Sequence, residues 1–243
     1  MKYAIISAGE GSRLAQEGIT APKPLVTIQG ECMIDRLIRI FSSNGAEEII
    51  VIVNDLTNDV QAHLAGLHTD VPLRVVVKTT PSSMHSFHAI SPYLAGERFC
   101  LTTVDTIFHE EEFHRFIQAF LSDTSLDALM GVTAFIDDEK PLYVATHDDM
   151  RVEGFYDSLG DFRMKGDPQA RCRFVSGGLY ALGPRAIDTL NRCMEKGMAR
   201  MRNFQRQLVS DKLHVKAYTF SKVLDVDHAS DIAKAEQFVS QGL

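Results

Sequence analysis

Short runs of apolar, β-branched residues alternate along the chain with stretches whose apolar side chains recur every three or four positions. This is the pattern of strands joined by crossover helices. The runs predict strands over residues 2–7, 48–53, 73–77, 99–104 and 128–135, with later ones near 173–182 and 215–220. Met33, Leu37, Ile40 and Phe41 share one helical face, and a second helix is expected over 58–67 with Asn58 as its cap. Comparable spacing predicts helices over 86–94, 111–121, 185–196, 203–210 and 228–241. The first half reads βαβαβαβ. The polar stretch 137–171, rich in Asp and Gly, is expected to hold short antiparallel strands and loops before the sheet resumes. The expected architecture is α/β, a single domain over 1–243 with helices on both faces of a mostly parallel sheet. In such three-layer folds ligands bind beyond the carboxyl ends of the strands.

Composition narrows the class. At 243 residues with 45% hydrophobic side chains, the chain can bury one large core but has no room for two ordinary domains. A formal net charge of −7 opposes an electrostatic grip on nucleic acid, so a polyphosphate ligand must be held locally. Cys32, Cys100, Cys172 and Cys193 are scattered, with no CxxC pair, and fit reduced thiols in a cytoplasmic protein. The N-terminal apolar run leads into glycines rather than a cleavage region, and no stretch approaches a membrane span. The expected partners are therefore small molecules, with neither nucleic acid nor membrane among them.

The sharpest local signal follows the first strand: Ala8-Gly9-Glu10-Gly11-Ser12-Arg13-Leu14, then Lys23 between Pro22 and Pro24. Glycines let backbone N–H groups approach phosphate oxygens with no Cβ in the way. Arg13 can fork onto phosphate, and Lys23 supplies a compact charge held by its flanking prolines. Taken alone, Gly9 and Gly11 can equally make a simple turn beside solvated charges. A Walker loop is absent, and Leu14 stands where a dinucleotide fingerprint needs its third glycine.

AGEGSRL followed by PKPL resembles the signature of the sugar-phosphate nucleotidyltransferases, the NDP-sugar pyrophosphorylases. The resemblance implies a Rossmann-like sheet of the nucleotide-diphospho-sugar transferase type. It also implies a loop in which Ala8, Gly9, Gly11 and Ser12 wrap a nucleoside triphosphate while Arg13 and Lys23 act on its phosphates. Two further segments fall on the family pattern. Asp105, closing the strand FCLTTV, takes the place of a Mg²⁺ ligand, although Val104 stands where glycine is usual. Asp227, in LDVDHASDI, takes the place of the second ligand, with Asp225 as its supporting partner. Two hard carboxylates suit Mg²⁺. As isolated residues, both aspartates can equally be helix caps, and Asp231 reads as a helix-stabilising acid.

Weaker expectations complete the reading. The loop before residue 86 lacks the Gly-Thr pair by which the family reads the base, leaving Ser82, Ser83 or Ser86 for that task or for helix capping; Ser83 is the binding candidate. Gly178, in SGGLY, is the candidate beside the acceptor, or else a β-bulge. Tyr156-Asp157-Ser158 replaces the family's usual Glu-Lys-Pro. The His85/His88 and His109/His114 pairs lack metal-site companions, and no G-x-S-x-G elbow is present. The implied reaction moves NMP from an NTP to a sugar 1-phosphate. Its alternatives are a cytidylyltransferase for a non-sugar phosphate such as phosphocholine, or a glycosyltransferase, whose DxD is missing at Asp105-Thr106-Ile107. A non-catalytic nucleotide sensor would leave Lys23 and the two aspartates without a task. Base, acceptor and oligomeric state stay open.

Overall fold

The computed structural model describes residues 1–9, 11–137 and 139–242. From β1 (Lys2–Ser7) the chain passes through a short helix α1 (Ser12–Gln16) and a small hairpin, β2 (Thr27–Ile28) and β3 (Glu31–Cys32), into α2 (Met33–Ser43). The alternation continues with β4 (Glu48–Val53), α3 (Asn58–Gly66), β5 (Leu73–Val77), α4 (Ser83–Ile90) and β6 (Phe99–Thr103). A two-residue strand β7 (Thr106–Ile107) precedes α5 (Glu110–Ser122) and β8 (Ala128–Thr133). The polar stretch carries β9 (Tyr143–Thr146), β10 (Val152–Tyr156) and α6 (Leu159–Lys165). The chain then completes β11 (Arg171–Leu182), α7 (Arg185–Glu195), α8 (Met201–Ser210), β12 (Val215–Phe220), β13 (Leu224–Asp225) and α9 (Ala229–Ser240).

β5, β4, β1 and β6 lie side by side and parallel. The second half of β11 runs antiparallel between β6 and β8, and β12 adds parallel to β8. The first half of β11 leaves this ladder and pairs with β9, which pairs in turn with β10. Both faces are covered, so the strands read as continuous apolar runs rather than alternating ones. Alternation survives in where each residue goes. Tyr3 and Ile5 of β1 and Ile49, Val51 and Val53 of β4 enter a core closed by α2, α3, α5 and α9. Ala4 and Ile6, with Ile50 and Ile52, enter the opposite core under α4, α7 and α8. Each fully buried Ile or Phe contributes about 1.5–3 kcal/mol, and this two-sided burial fixes the register of the central strands.

The differences from expectation are local. Asn58 is the first helical residue of α3, and Thr57 occupies the cap position. α4 starts at Ser83 because the Ser82 hydroxyl accepts from the His85 backbone N–H, and it gives way at Ser91–Tyr93 to a 3₁₀ turn containing Pro92. β6 and β8 stop at Thr103 and Thr133, short of the expected 104 and 135. α1 and α6 stand in segments read as loop; α6 is capped by the Ser158 side chain on the Asp161 N–H. Neither short helix has a long apolar stripe to betray it. Among the described residues, no helix is long and apolar enough to cross a membrane.

Candidate active site

The parallel strands β1, β4 and β6 end at one edge of the sheet, and their exits line a cavity of about 940 Å³. Ala8, Gly9, Gly11 and Ser12 form one rim, Asn54 follows β4, and Thr103 and Asp105 follow β6. Gly11 has φ +61° and caps α1, a left-handed conformation that favours glycine. It is also the point where the loop closes on itself, since a Cβ there would lie 3.0 Å from the Cβ of Lys23. Lys23 opens a 3₁₀ turn, Lys23–Leu25, tied by the Leu25 N–H to Pro22 O at 2.8 Å. The buried Pro24 anchors it.

This turn aims the Lys23 ammonium into the cavity wall, where it meets Asp105 Oδ2 at 2.5 Å and Asp227 Oδ1 at 2.6 Å. Arg13 closes the same group, donating from Nη1 to Asp227 Oδ2 at 2.9 Å. Thus four residues from three distant segments share one charged cluster. Burial is the largest influence on Lys23 and opposes its charge. The charges and hydrogen bonds of Asp105 and Asp227 together outweigh it and hold the ammonium's pKa above the ordinary lysine value. Asp105 Oδ1 is buried with no hydrogen-bond partner among the described residues, and the Ser7 hydroxyl, in the same cavity, is in the same condition.

The two aspartates meet because of a pairing absent from the sequence reading. β7 and β13 form an antiparallel ladder, Ile107 opposite Leu224 and Thr106 opposite Asp225, directly after Asp105 and before Asp227. Neither aspartate caps a helix: Asp105 precedes β7, and the cap of α9 is His228. Asp231 does support that end, accepting from the backbone N–H groups of His228 at 2.9 Å and Asp227 at 3.2 Å. A second clasp joins Glu17, beyond α1, to the same end. Its carboxylate meets His228 Nδ1 at 2.6 Å and the Ala229 N–H at 2.6 Å.

Arg13 and Asp227 also line a second cavity of about 400 Å³, which Arg202, Lys234 and Gly177 help to enclose. Gly178 sits at φ +71° where the register of β11 shifts against β8, and its neighbour Gly177, rather than Gly178 itself, lines this cavity. Ser82, Ser83 and Ser86 all line the larger cavity. Ser82 is engaged with α4 and with Ala199 O, while Ser86 is paired with Thr80.

A model of the MobA-like NTP transferase domain matches residues 3–209. The chain belongs to this family. A MobA-like NTP transferase of this length has partial counterparts in longer proteins. The bifunctional IPC transferase and DIPP synthase of Rubrobacter xylanophilus is 30% identical over 117 residues, 47% of this chain and 26% of that protein. The CMP-5'-(3-aminopropyl)phosphonate synthase of Streptomyces rubellomurinus is 24% identical over 90 residues, 37% of this chain and 14% of that protein. The matched regions thus span about a quarter or less of the curated relatives. In three dimensions the chain is similar to the inositol-1-phosphate CTP transferase from T. maritima, with a TM-score of 0.77 and 17% identity, over 98% of this chain and 97% of that one. This likeness shows a shared fold across nearly the whole chain.

Sequence reasoning missed several lining residues of this NTP transferase. Asn54 is buried at the exit of β4, donating to Ala8 O at 3.3 Å and accepting from the Leu56 N–H and the Thr79 hydroxyl, both at 2.8 Å. It ties the glycine loop to the segment before α4. A polar residue directly after an apolar strand is the available signal, because strand exits are where such folds bind ligands. Ser7 carried the same signal. The Glu17–His228 clasp had none, since a surface Glu and His 211 positions apart share no local pattern.

Proposed function

We propose that this NTP transferase moves a nucleotidyl group from a nucleoside triphosphate onto a small phosphorylated acceptor, a sugar 1-phosphate in the first reading. The observation that carries it is the Lys23–Asp105–Asp227–Arg13 cluster at the junction of two cavities, one large enough for a nucleotide and one for a smaller polar molecule. An acceptor phosphate oxygen attacks the α-phosphorus. A new P–O bond forms there as the bond to the β-phosphate bridging oxygen breaks, and pyrophosphate leaves with the electron pair. The attacking phosphate is already an anion, so the protein needs neither a nucleophile nor a strong base, and catalysis reduces to positioning and charge stabilisation. Lys23, held charged in the cavity wall, and Arg13, shared between the cavities, offset negative charge on the reacting phosphates.

Asp105 and Asp227 fit a Mg²⁺ ion. Their oxygens are hard donors, and among the described residues nothing donates to the buried Asp105 Oδ1. Such an ion, when bound, neutralises charge on the triphosphate. Lys23 holds Asp105 Oδ2 and Asp227 Oδ1 and Arg13 holds Asp227 Oδ2, so an ion would take up these carboxylates in exchange for the two cations.

A second reading is favoured by the names of the similar proteins, two of which specify CTP or CMP with inositol 1-phosphate or a phosphonate. It makes CTP the donor and a non-sugar phosphate or phosphonate the acceptor. Both readings are tested by incubating the protein with Mg²⁺, each common nucleoside triphosphate, and a panel of sugar 1-phosphates, inositol 1-phosphate, phosphocholine and phosphonates, while pyrophosphate is followed. Pyrophosphate release that requires both donor and acceptor supports transfer, and the productive pair decides between the readings. Folded protein that releases none across the panel would remove the enzymatic reading.

A further inference from the structure

Away from the cavities, three side chains of different chemistry converge where α2 and α3 pack on the same face of the sheet. Cys32 ends β3 immediately before α2, Asp35 lies in the first turn of α2, and His63 lies in α3. His63 Nε2 is 2.7 Å from Asp35 Oδ1, and one ligand-type atom from each of the three residues falls within 4.8 Å of the others. All three are half-buried. The Cys32 thiol donates to Leu25 O at 3.6 Å, which places the cluster against the turn that carries Lys23.

We infer that Cys32, Asp35 and His63 form a Zn²⁺ site that staples α2 to α3 beside the Lys23 turn. Four-coordinate zinc, with bonds of about 2.0–2.3 Å, holds its ligand atoms roughly 3.5 Å apart, so the observed cluster closes on an ion through small side-chain rotations. Sulfur, imidazole and carboxylate together match a borderline-soft cation better than Mg²⁺ or Ca²⁺. Thiolate and carboxylate bring two negative charges and neutral His63 none, so a divalent ion leaves the site neutral. On binding, the His63–Asp35 hydrogen bond breaks and the imidazole proton moves from Nε2 to Nδ1, the Cys32 S–H bond breaks, bonds from sulfur, Nε2 and the carboxylate to Zn form, and one proton passes to solvent. Three protein ligands leave the fourth tetrahedral position to water. None of this depends on the identity of the nucleotidyl acceptor.

The test uses the metal-free protein under reducing conditions, titrated with Co²⁺ as a spectroscopic substitute for Zn²⁺. The expected result is one equivalent of Co²⁺ with a sulfur-to-metal charge-transfer band that Zn²⁺ displaces. The aspartate pair of the larger cavity has no sulfur and cannot produce that band. Cys32→Ser should abolish the band, and His63→Gln should weaken Zn²⁺ binding by about tenfold or more. Zn²⁺ should raise the thermal midpoint of the wild type but of neither variant. Absence of the band from folded wild-type protein, an equal band in Cys32→Ser, or unchanged Zn²⁺ affinity in His63→Gln would overturn the site.

Discussion

The backbone N–H of Val226 donates to the carbonyl oxygen of Asp105 at 3.1 Å, extending the β7–β13 ladder to the two residues that flank the charged cluster. Residues 121 positions apart in the chain are held together by main-chain bonding, so the carboxylates of Asp105 and Asp227 meet whatever else lies in the cavity. Val226→Pro removes this donor. The expected cost is about 1–3 kcal/mol of stability and, through displacement of Asp227, about a hundredfold in turnover. Val226→Ala keeps the N–H and loses only buried side chain, on the order of 2 kcal/mol, with turnover retained. Denaturation curves and steady-state kinetics on both variants check the distinction; equal turnover in the two would show that the ladder does not position the site.

Lys23→Ala should lower turnover by about a hundredfold, comparable to the loss of one transition-state donor, while the protein stays folded. The pH dependence follows from the direction of the shift. With its pKa above the ordinary lysine value of 10.5, the ammonium contribution is complete below that value and is lost only as pH rises through the still higher folded-state pKa. The wild-type rate profile should therefore carry no limb from Lys23 through the neutral and mildly alkaline range.

Gly11→Ala should harm both stability and rate. An alanine must adopt the left-handed conformation at a cost of about 1–2 kcal/mol, and its Cβ would press on the Lys23 Cβ at 3.0 Å. Turnover is expected to fall about ten- to a hundredfold through movement of Lys23. Gly9→Ala is the contrast for stability, because among the described residues no neighbour lies within 4 Å of a Cβ there and the cost should be small.

The Glu17–His228 clasp predicts a pH-dependent stability. Its hydrogen bond to Glu17 is the main cause that raises the His228 pKa above 6.5, and the bond from His228 is the main cause that lowers the Glu17 pKa below 4.5. The His228 contribution is complete below 6.5 and fades as pH rises through its elevated folded value. The Glu17 contribution is complete above 4.5 and fades as pH falls through its depressed one. The difference in thermal midpoint between wild type and His228→Asn should therefore be largest between these two values and shrink as pH rises through the elevated His228 value. A difference constant from acid to alkaline pH would remove the charged clasp as its cause.

What could be read from the residues alone follows from how local each signal is. β1 and β4 match their expected bounds because continuous apolar runs buried on both faces have no competing pattern, and the less buried β5 and β12 match theirs as well. The glycine loop was legible because Gly11, Arg13 and Lys23 lie within one short segment. The convergence of Asp105 and Asp227 was legible only through family resemblance, since the β7–β13 ladder that creates it is two residues deep and has no periodicity to detect. Gly177 and Gly178 show the limit from the other side. A Gly-Gly pair marks a bulge, but which glycine faces the second cavity depends on the register shift of β11, which no local pattern records.

Arg13 and Asp227 form part of the wall of both cavities, and their ion pair spans the boundary. A molecule that displaced this shared pair on entering either compartment would link the two occupancies thermodynamically. The factor by which a first ligand changes affinity for a second must equal the factor in the reverse order, a reciprocity typically worth about 1–3 kcal/mol. Dissociation constants measured with one compartment empty therefore describe a different protein from the one that has both ligands aboard.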